Sequence, residues 1–204
     1  MLLAFSLLWW RLGNGPIELD VATPWLAAAI EENFGSQHQV QVGGTQIERD
    51  ASGRTALRIR DEGGPRLAGQ LLIYPVTDYH TPGTPSYQEN ADGYGLTRNT
   101  MRWFWDHYLS DPAEAAQPYA SPLRARDFSG LPTALVVTAE YDPLRDEGEH
   151  YAEKLRAGGT SCVVSRWHGM NHGFFFWVGL VDKAGEAMAE SCAWLRGIFG
   201  VGSR

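Results

Sequence analysis

Two residues in the C-terminal half of the chain are of the right types to move a proton together. Asp142 lies in Tyr141-Asp142-Pro143-Leu144-Arg145-Asp146-Glu147-Gly148, and His172 lies in Gly169-Met170-Asn171-His172-Gly173-Phe174. A carboxylate beside an imidazole holds one ring tautomer and stabilises the imidazolium that forms when the ring takes a proton from a nucleophile, which is the acid–base half of acyl transfer. Taken singly, each residue has a plainer role. An Asp before Pro at a helix start is a common N-cap, and a loop histidine between Asn and Gly is often only solvated or structural. Asp146 is a second acid, but its place in a first helical turn suits the helix dipole. His168 and His172 are four residues apart, the spacing of a metal-binding pair on a helix. Gly169 and the strand-like run before it speak against a helix there, so a metal-dependent hydrolase ranks third among the readings, and no metal or other cofactor is expected.

The elements that must position these residues follow from the apolar pattern. Leu71-Leu72-Ile73-Tyr74, closed by Pro75, reads as a buried parallel strand. Residues 78–95 hold Pro, Gly, Asn and Asp and read as a long loop. Thr97 can cap a helix with Met101, Phe104, Trp105 and Tyr108 on one face. Thr133 to Ala139 is a second buried strand. Asp142-Pro143 opens a helix, with Pro143 at its first position, an apolar face of Leu144, Tyr151, Ala152 and Leu155, and Gly158-Gly159 at its end. Ser161 to Trp167 is a third strand, and a last helix covers about 182–198. Strand, helix, strand, helix predicts an α/β three-layer sandwich, a mostly parallel sheet with helices on both faces. Ligands then bind beyond the carboxyl ends of the strands, where Asp142 and His172 both fall.

The first 54 residues are patterned more weakly. Leu2 to Trp10 suits a strand, Asp20 to Asn33 a helix with Trp25, Leu26, Ala29 and Ile30 on one face, and Gln39 to Val42 a strand before Gly43-Gly44. At 204 residues, with 44% hydrophobic and 20% charged, the whole chain suits one globular domain. The net charge of −7, spread without long runs, disfavours nucleic acid, whose phosphates need a concentrated basic patch, and no nucleic-acid partner is expected. Cys162 and Cys192 make no disulfide framework and read as buried thiols in a reducing, cytoplasmic setting. Met1 to Trp10 lacks a basic flank and a cleavage site, and is far shorter than the ~20 residues that span a bilayer.

From about residue 55 to 198 the sequence resembles the hormone-sensitive-lipase-like branch of the α/β-hydrolases, the bacterial family IV esterases. The resemblance is carried by Leu67-Ala68-Gly69-Gln70-Leu71-Leu72-Ile73-Tyr74-Pro75, Ala120-Ser121-Pro122-Leu123, Gly130-Leu131-Pro132, Thr138-Ala139-Glu140-Tyr141-Asp142-Pro143-Leu144-Arg145-Asp146-Glu147 and Asn171-His172-Gly173-Phe174. It implies an α/β-hydrolase, truncated or degenerate in its N-terminal part, with Asp142 as triad acid and His172 as triad base. It implies a small-molecule ester as substrate, a serine acyl-enzyme, and a homodimer through the edge strand near Ser161 to Trp167. The aromatic residues of 94–108 either wall an acyl pocket or form helix core.

Upstream the chain departs from the family pattern. The nucleophile belongs in a G-D-S-A-G elbow. Counting back without gaps from Leu57 puts Thr45, Gln46, Ile47 and Glu48 on Asp, Ser, Ala and Gly. Gln46 cannot attack an ester, and Glu48 stands where the tight elbow needs a glycine. Ser52 is the nearest serine, six residues late, and is the candidate for a displaced nucleophile; the alternative puts it in the turn after a hairpin built on Gly43-Gly44. The H-G-G-G oxyanion motif is absent from the sequence. Two readings stand: a serine carboxylic ester hydrolase, and a catalytically impaired relative lacking the nucleophile and oxyanion hole.

Overall fold

The computed structural model describes residues 17–18, 46–47, 54–64 and 66–200. The chain divides into two compact units, residues 1–50 with 201–204, and residues 51–200. In the first, strands β1 (Ile17–Glu18) and β2 (Gln46–Ile47) pair antiparallel, Ile17 opposite Ile47 and Glu18 opposite Gln46. The elements expected at 2–10, 20–33 and 39–42, the turn at Gly43-Gly44, and Ser52 lie outside the described residues.

The second unit holds a parallel sheet of β3 (Gln70–Ile73), β4 (Ala134–Tyr141) and β5 (Cys162–Asn171), in the order β3-β4-β5. β4 lies between the other two and is buried along its first six residues, which explains its unbroken apolar run. Side chains alternate across a strand. Ala134 and Val136 accordingly join Tyr151, Ala152 and Leu155 of α4 (Arg145–Ala157) and Ala56 and Leu57 of α1 (Arg54–Asp61), while Ala139 packs with Ala184 and Ala187 of α5 (Asp182–Phe199). Helices therefore serve both faces, as expected of the three-layer arrangement.

The predicted elements recur with instructive shifts. α3 (Arg98–Tyr108) begins as its pattern implies: the Thr97 hydroxyl accepts from the Thr100 amide at 3.0 Å. Its Met101 and Trp105 are buried against Tyr87 and Leu144, so these two residues are helix core. The stretch expected to be one long loop contains α2 (Pro85–Glu89), a single Pro-initiated turn too short to show a period.

The helix expected to open at Asp142-Pro143 starts at Arg145 instead. The Asp142 carboxylate accepts from Leu144 N at 2.9 Å and its carbonyl from Arg145 N at 3.1 Å, an Asx-type turn that holds Pro143 and Leu144 outside the helix. The helix ends at Gly158, as predicted. A side chain there would put its first carbon 2.6 Å from the Phe128 carbonyl, so only glycine fits.

β5 runs four residues past its expected end at Trp167. It does so through an irregularity: Ala139 faces Trp167 and Tyr141 faces Asn171, so two steps along β4 correspond to four along β5. The extra backbone is tied down. Gly169 N donates to the Glu140 carboxylate at 2.6 Å, and Lys183 Nζ donates to His168 O at 2.6 Å. Cys162 and Cys192 are free thiols, both half-buried rather than buried. Among the described residues, no helix is long and apolar enough to cross a membrane.

Candidate active site

The carboxyl ends of β4 and β5 bring Asp142 and His172 together. Oδ2 of Asp142 lies 2.8 Å from Nδ1 of His172. The acid is 1% exposed and the imidazole side chain 29% exposed, so the pair has a buried carboxylate and a ring that solvent reaches. Both Asp142 oxygens are engaged, Oδ1 by the Leu144 amide and Oδ2 by the imidazole. With Nδ1 turned to the carboxylate, Nε2 is the nitrogen left to exchange a proton with a reacting group.

Several elements fix the acid. Asn90 is buried, and its amide donates to the carbonyls of Asp142 at 3.3 Å and Glu140 at 3.4 Å. Ser86 Oγ donates to Pro143 O at 2.6 Å, while the Ser86 amide donates to Asp146 Oδ2 at 2.8 Å. Asp146 thereby faces α2 and Arg145. The Arg145 guanidinium and the Ser86 amide hold its carboxyl below the usual range in spite of partial burial, which acts the other way. Asp146 clamps α2 to the Asp142 turn and is not the histidine's partner.

Glu147 adds a fully buried carboxyl to this clamp. Its Oε1 accepts from the Thr77 amide at 2.7 Å and the Asp78 amide at 3.2 Å, and its backbone carbonyl accepts from Thr77 Oγ1 at 2.8 Å. Burial outweighs these donors and pushes its pKa up to about 8. The Tyr87 phenol is buried beside it, and burial raises that group too, so it stays protonated.

The histidine is fixed from the other side. Gly173 has φ +86°, the left-handed conformation glycine adopts without penalty, and turns the chain sharply after His172 so that Phe174 drops into the core at 0% exposure. The Tyr74 ring packs on the imidazole with centroids 4.9 Å apart. His168 does not join this site; it is exposed and lies 3.6 Å from Glu140, on an extended strand where the four-residue spacing of a helical pair has no meaning.

Of the candidate nucleophile positions, Gln46 lies on β2 in the other unit, and Ser52 lies outside the described residues. Sequence reasoning missed Tyr74, Asn90, Ser86 and Glu147 as parts of the site. Only Tyr74 left a trace, a bulky residue between a strand and the proline that closes it.

A parallel sheet with helices on both faces, and an acid–histidine pair beyond its strand ends, is the arrangement of an α/β-hydrolase. The chain belongs to this family: residues 21–176 match the family described as the alpha/beta hydrolase fold. The match begins well before residue 55, where the resemblance becomes legible by eye. The chain is 39% identical over 156 residues to the carboxylic ester hydrolase LipN of Mycobacterium tuberculosis, covering 74% of this chain and 41% of that protein. It is 36% identical over 182 residues to the ethyl acetate hydrolase of Pseudomonas putida, covering 88% and 56%. Among solved structures, EstE1, a thermostable carboxylesterase cloned from a metagenomic library, superposes with TM-score 0.69 at 42% identity, covering 74% of this chain and 51% of that one. The hyperthermophilic esterase of the archaeon Pyrobaculum calidifontis gives TM-score 0.69 at 40% identity, covering 74% and 49%. The chain thus spans about half the length of the relatives it matches.

Proposed function

We propose that the chain is a carboxylic ester hydrolase acting on small-molecule esters, with His172 as general acid–base and Asp142 as the group that orients it. The observation that carries this reading is the 2.8 Å contact between Asp142 Oδ2 and His172 Nδ1, with the acid buried and the ring reached by solvent. The ester-hydrolase names of its relatives support the substrate class.

In this reading His172 Nε2 takes the proton of a hydroxyl nucleophile as its oxygen attacks the ester carbonyl. The same proton then passes to the departing alcohol oxygen as the C–O bond breaks, leaving an acyl-enzyme. Water repeats the sequence, giving its proton to Nε2 and releasing the acid as the nucleophile's oxygen regains a proton. Asp142 remains a carboxylate throughout and stabilises the transient imidazolium. Ser52 is the proposed nucleophile.

A second reading, a catalytically impaired relative, is favoured by one observation: Gln46 occupies the counted serine position and cannot form an acyl bond. A fluorophosphonate probe separates the two. Labelling that Ser52→Ala abolishes, with turnover of short-chain p-nitrophenyl esters, is the expected outcome for the hydrolase. Neither labelling nor turnover leaves the impaired relative.

The same reading includes a cytoplasmic location, supported by the free thiols, and a homodimer along β5, where Val163 is 48% exposed. Sedimentation at micromolar concentration tests the dimer, and a monomer there removes it.

A further inference from the structure

Tyr74 stands where β3 ends against the His172 turn. It is the non-glycine residue with left-handed backbone among the described residues, at φ 50°. Its Cβ makes this conformation unfavourable, and the following Pro75 disfavours helical conformations of the residue before it. Strain of this kind persists only where surrounding contacts over-determine it, and it gathers at functional sites. The Tyr74 amide still donates to Val137 O at 2.9 Å, so the twist occurs at the last sheet bond and throws the ring sideways.

The aromatic and hydroxyl contacts of Tyr74 belong to the His172 turn. The ring lies 4.9 Å from the imidazole at 48°, and meets Phe174 at 5.5 Å and Phe175 at 5.8 Å, both edge-on. The hydroxyl accepts from the Phe175 amide at 3.1 Å. One side chain, 8% exposed, thus braces residues 172, 174 and 175.

We propose that Tyr74 is a positioning residue for His172: its ring backs the imidazole and its hydroxyl pins the following turn, keeping Nδ1 on the Asp142 carboxylate. This rests on the acid–base role proposed for His172. The phenol suits the task because it stays neutral. Burial raises its pKa, the Phe175 amide lowers it by less, and the Asp142 charge raises it further. No second anion therefore competes with Asp142 for the ring proton.

The test uses the full chain and the low-field proton resonance of the His172 Nδ1–H, assigned by its loss in His172→Ala. Tyr74→Leu is expected to broaden or abolish this resonance, whereas Tyr151→Leu, which empties an equally buried core position, leaves it in place. If turnover is found, Tyr74→Leu lowers kcat by up to about a hundredfold, the scale of a ~1 Å misplacement, with KM within about twofold. Tyr74→Phe keeps the ring and loses only the acceptor. Phe175 amide exchange then quickens roughly fivefold, the loss of one ordinary hydrogen bond, and this holds the proposal to account should the leucine variant fail to fold. An unchanged resonance in Tyr74→Leu, its equal loss in Tyr151→Leu, or unchanged Phe175 exchange in Tyr74→Phe each overturns the proposal. The resonance does not depend on turnover. A chain that hydrolyses nothing yet shows the Tyr74-dependent signal keeps the positioning role and loses the esterase reading; the converse result does the reverse.

Discussion

Replacing Glu147 by glutamine should abolish a pH dependence of stability that runs opposite to the usual carboxylate. A paired surface carboxyl has its pKa depressed on folding and stabilises the protein as pH rises. Glu147 is fully buried, and its pKa goes from 4.5 to about 8. The folded state therefore holds a proton that the unfolded chain gives up near pH 4.5. Its stabilising contribution is complete below pH 4.5, falls as pH rises, and is exhausted above pH 8. A gap of about 3.5 pH units at 1.36 kcal/mol each gives on the order of 4–5 kcal/mol across that window. For a unit of this size about 1 kcal/mol moves Tm by ~2–4 °C. Wild type should lose at least several degrees relative to Glu147→Gln between pH 5 and pH 8, because glutamine keeps an oxygen for the Thr77 and Asp78 amides but has no proton to lose. Urea unfolding of the two proteins at half-unit pH steps reads the difference directly. Parallel stability profiles, or a wild type that gains on the variant as pH rises, would refute the reasoning.

Three further outcomes can be checked with simple assays. His172→Ala should reduce any ester hydrolysis by several orders of magnitude, since base and nucleophile act as a unit; initial rates on p-nitrophenyl acetate report it. Gly158→Ala should cost about 1–3 kcal/mol and lower Tm in a thermal melt, because the added carbon would sit 2.6 Å from the Phe128 carbonyl. Leu155→Ala should cost about 2–5 kcal/mol in urea unfolding, since Leu155 is wholly buried between α4 and β4.

How much of this was legible in the sequence depends on the kind of signal. The sheet was readable because its β3 and β4 segments are apolar runs, and α3 because Thr97 and the Met101–Trp105 stripe announce it. Asp142 and His172 were visible as residue types in a recognisable setting, and their meeting followed from a parallel sheet whose neighbouring strands end at the same rim. α1 was not visible: Arg54–Asp61 is eight residues long and three of them are arginines, which breaks up any apolar period. α2 is one turn long, below the length at which periodicity can show. The extension of β5 was hidden because Gly169 reads as a terminator, whereas at φ +78° it serves an irregularity inside the strand. The left-handed backbone of Tyr74 could not be foreseen, since it contradicts the local preference of a residue before proline and is imposed by tertiary contacts. Glu147 looked like an ordinary charged residue of a helix's first turn, and nothing local marks it as the buried carboxyl that two loop amides converge on.

The irregularity between β4 and β5 has a consequence for how the site tolerates change in length. Two surplus residues are taken up opposite Glu140, between the Ala139–Trp167 and Tyr141–Asn171 pairs. At ~3.3 Å per extended residue, an even ladder would carry His172 about 6–7 Å further along, past the reach of Asp142. The slack in β5 works like a vernier that winds the histidine back to its acid. The spacing between the two motifs therefore matters together with how β5 takes up the residues between them. Deleting two residues from 168–170 would leave a single residue opposite Glu140, so an even ladder would still pair Tyr141 with Asn171 and keep acid and base in step, whereas straightening β5 without that deletion would separate them.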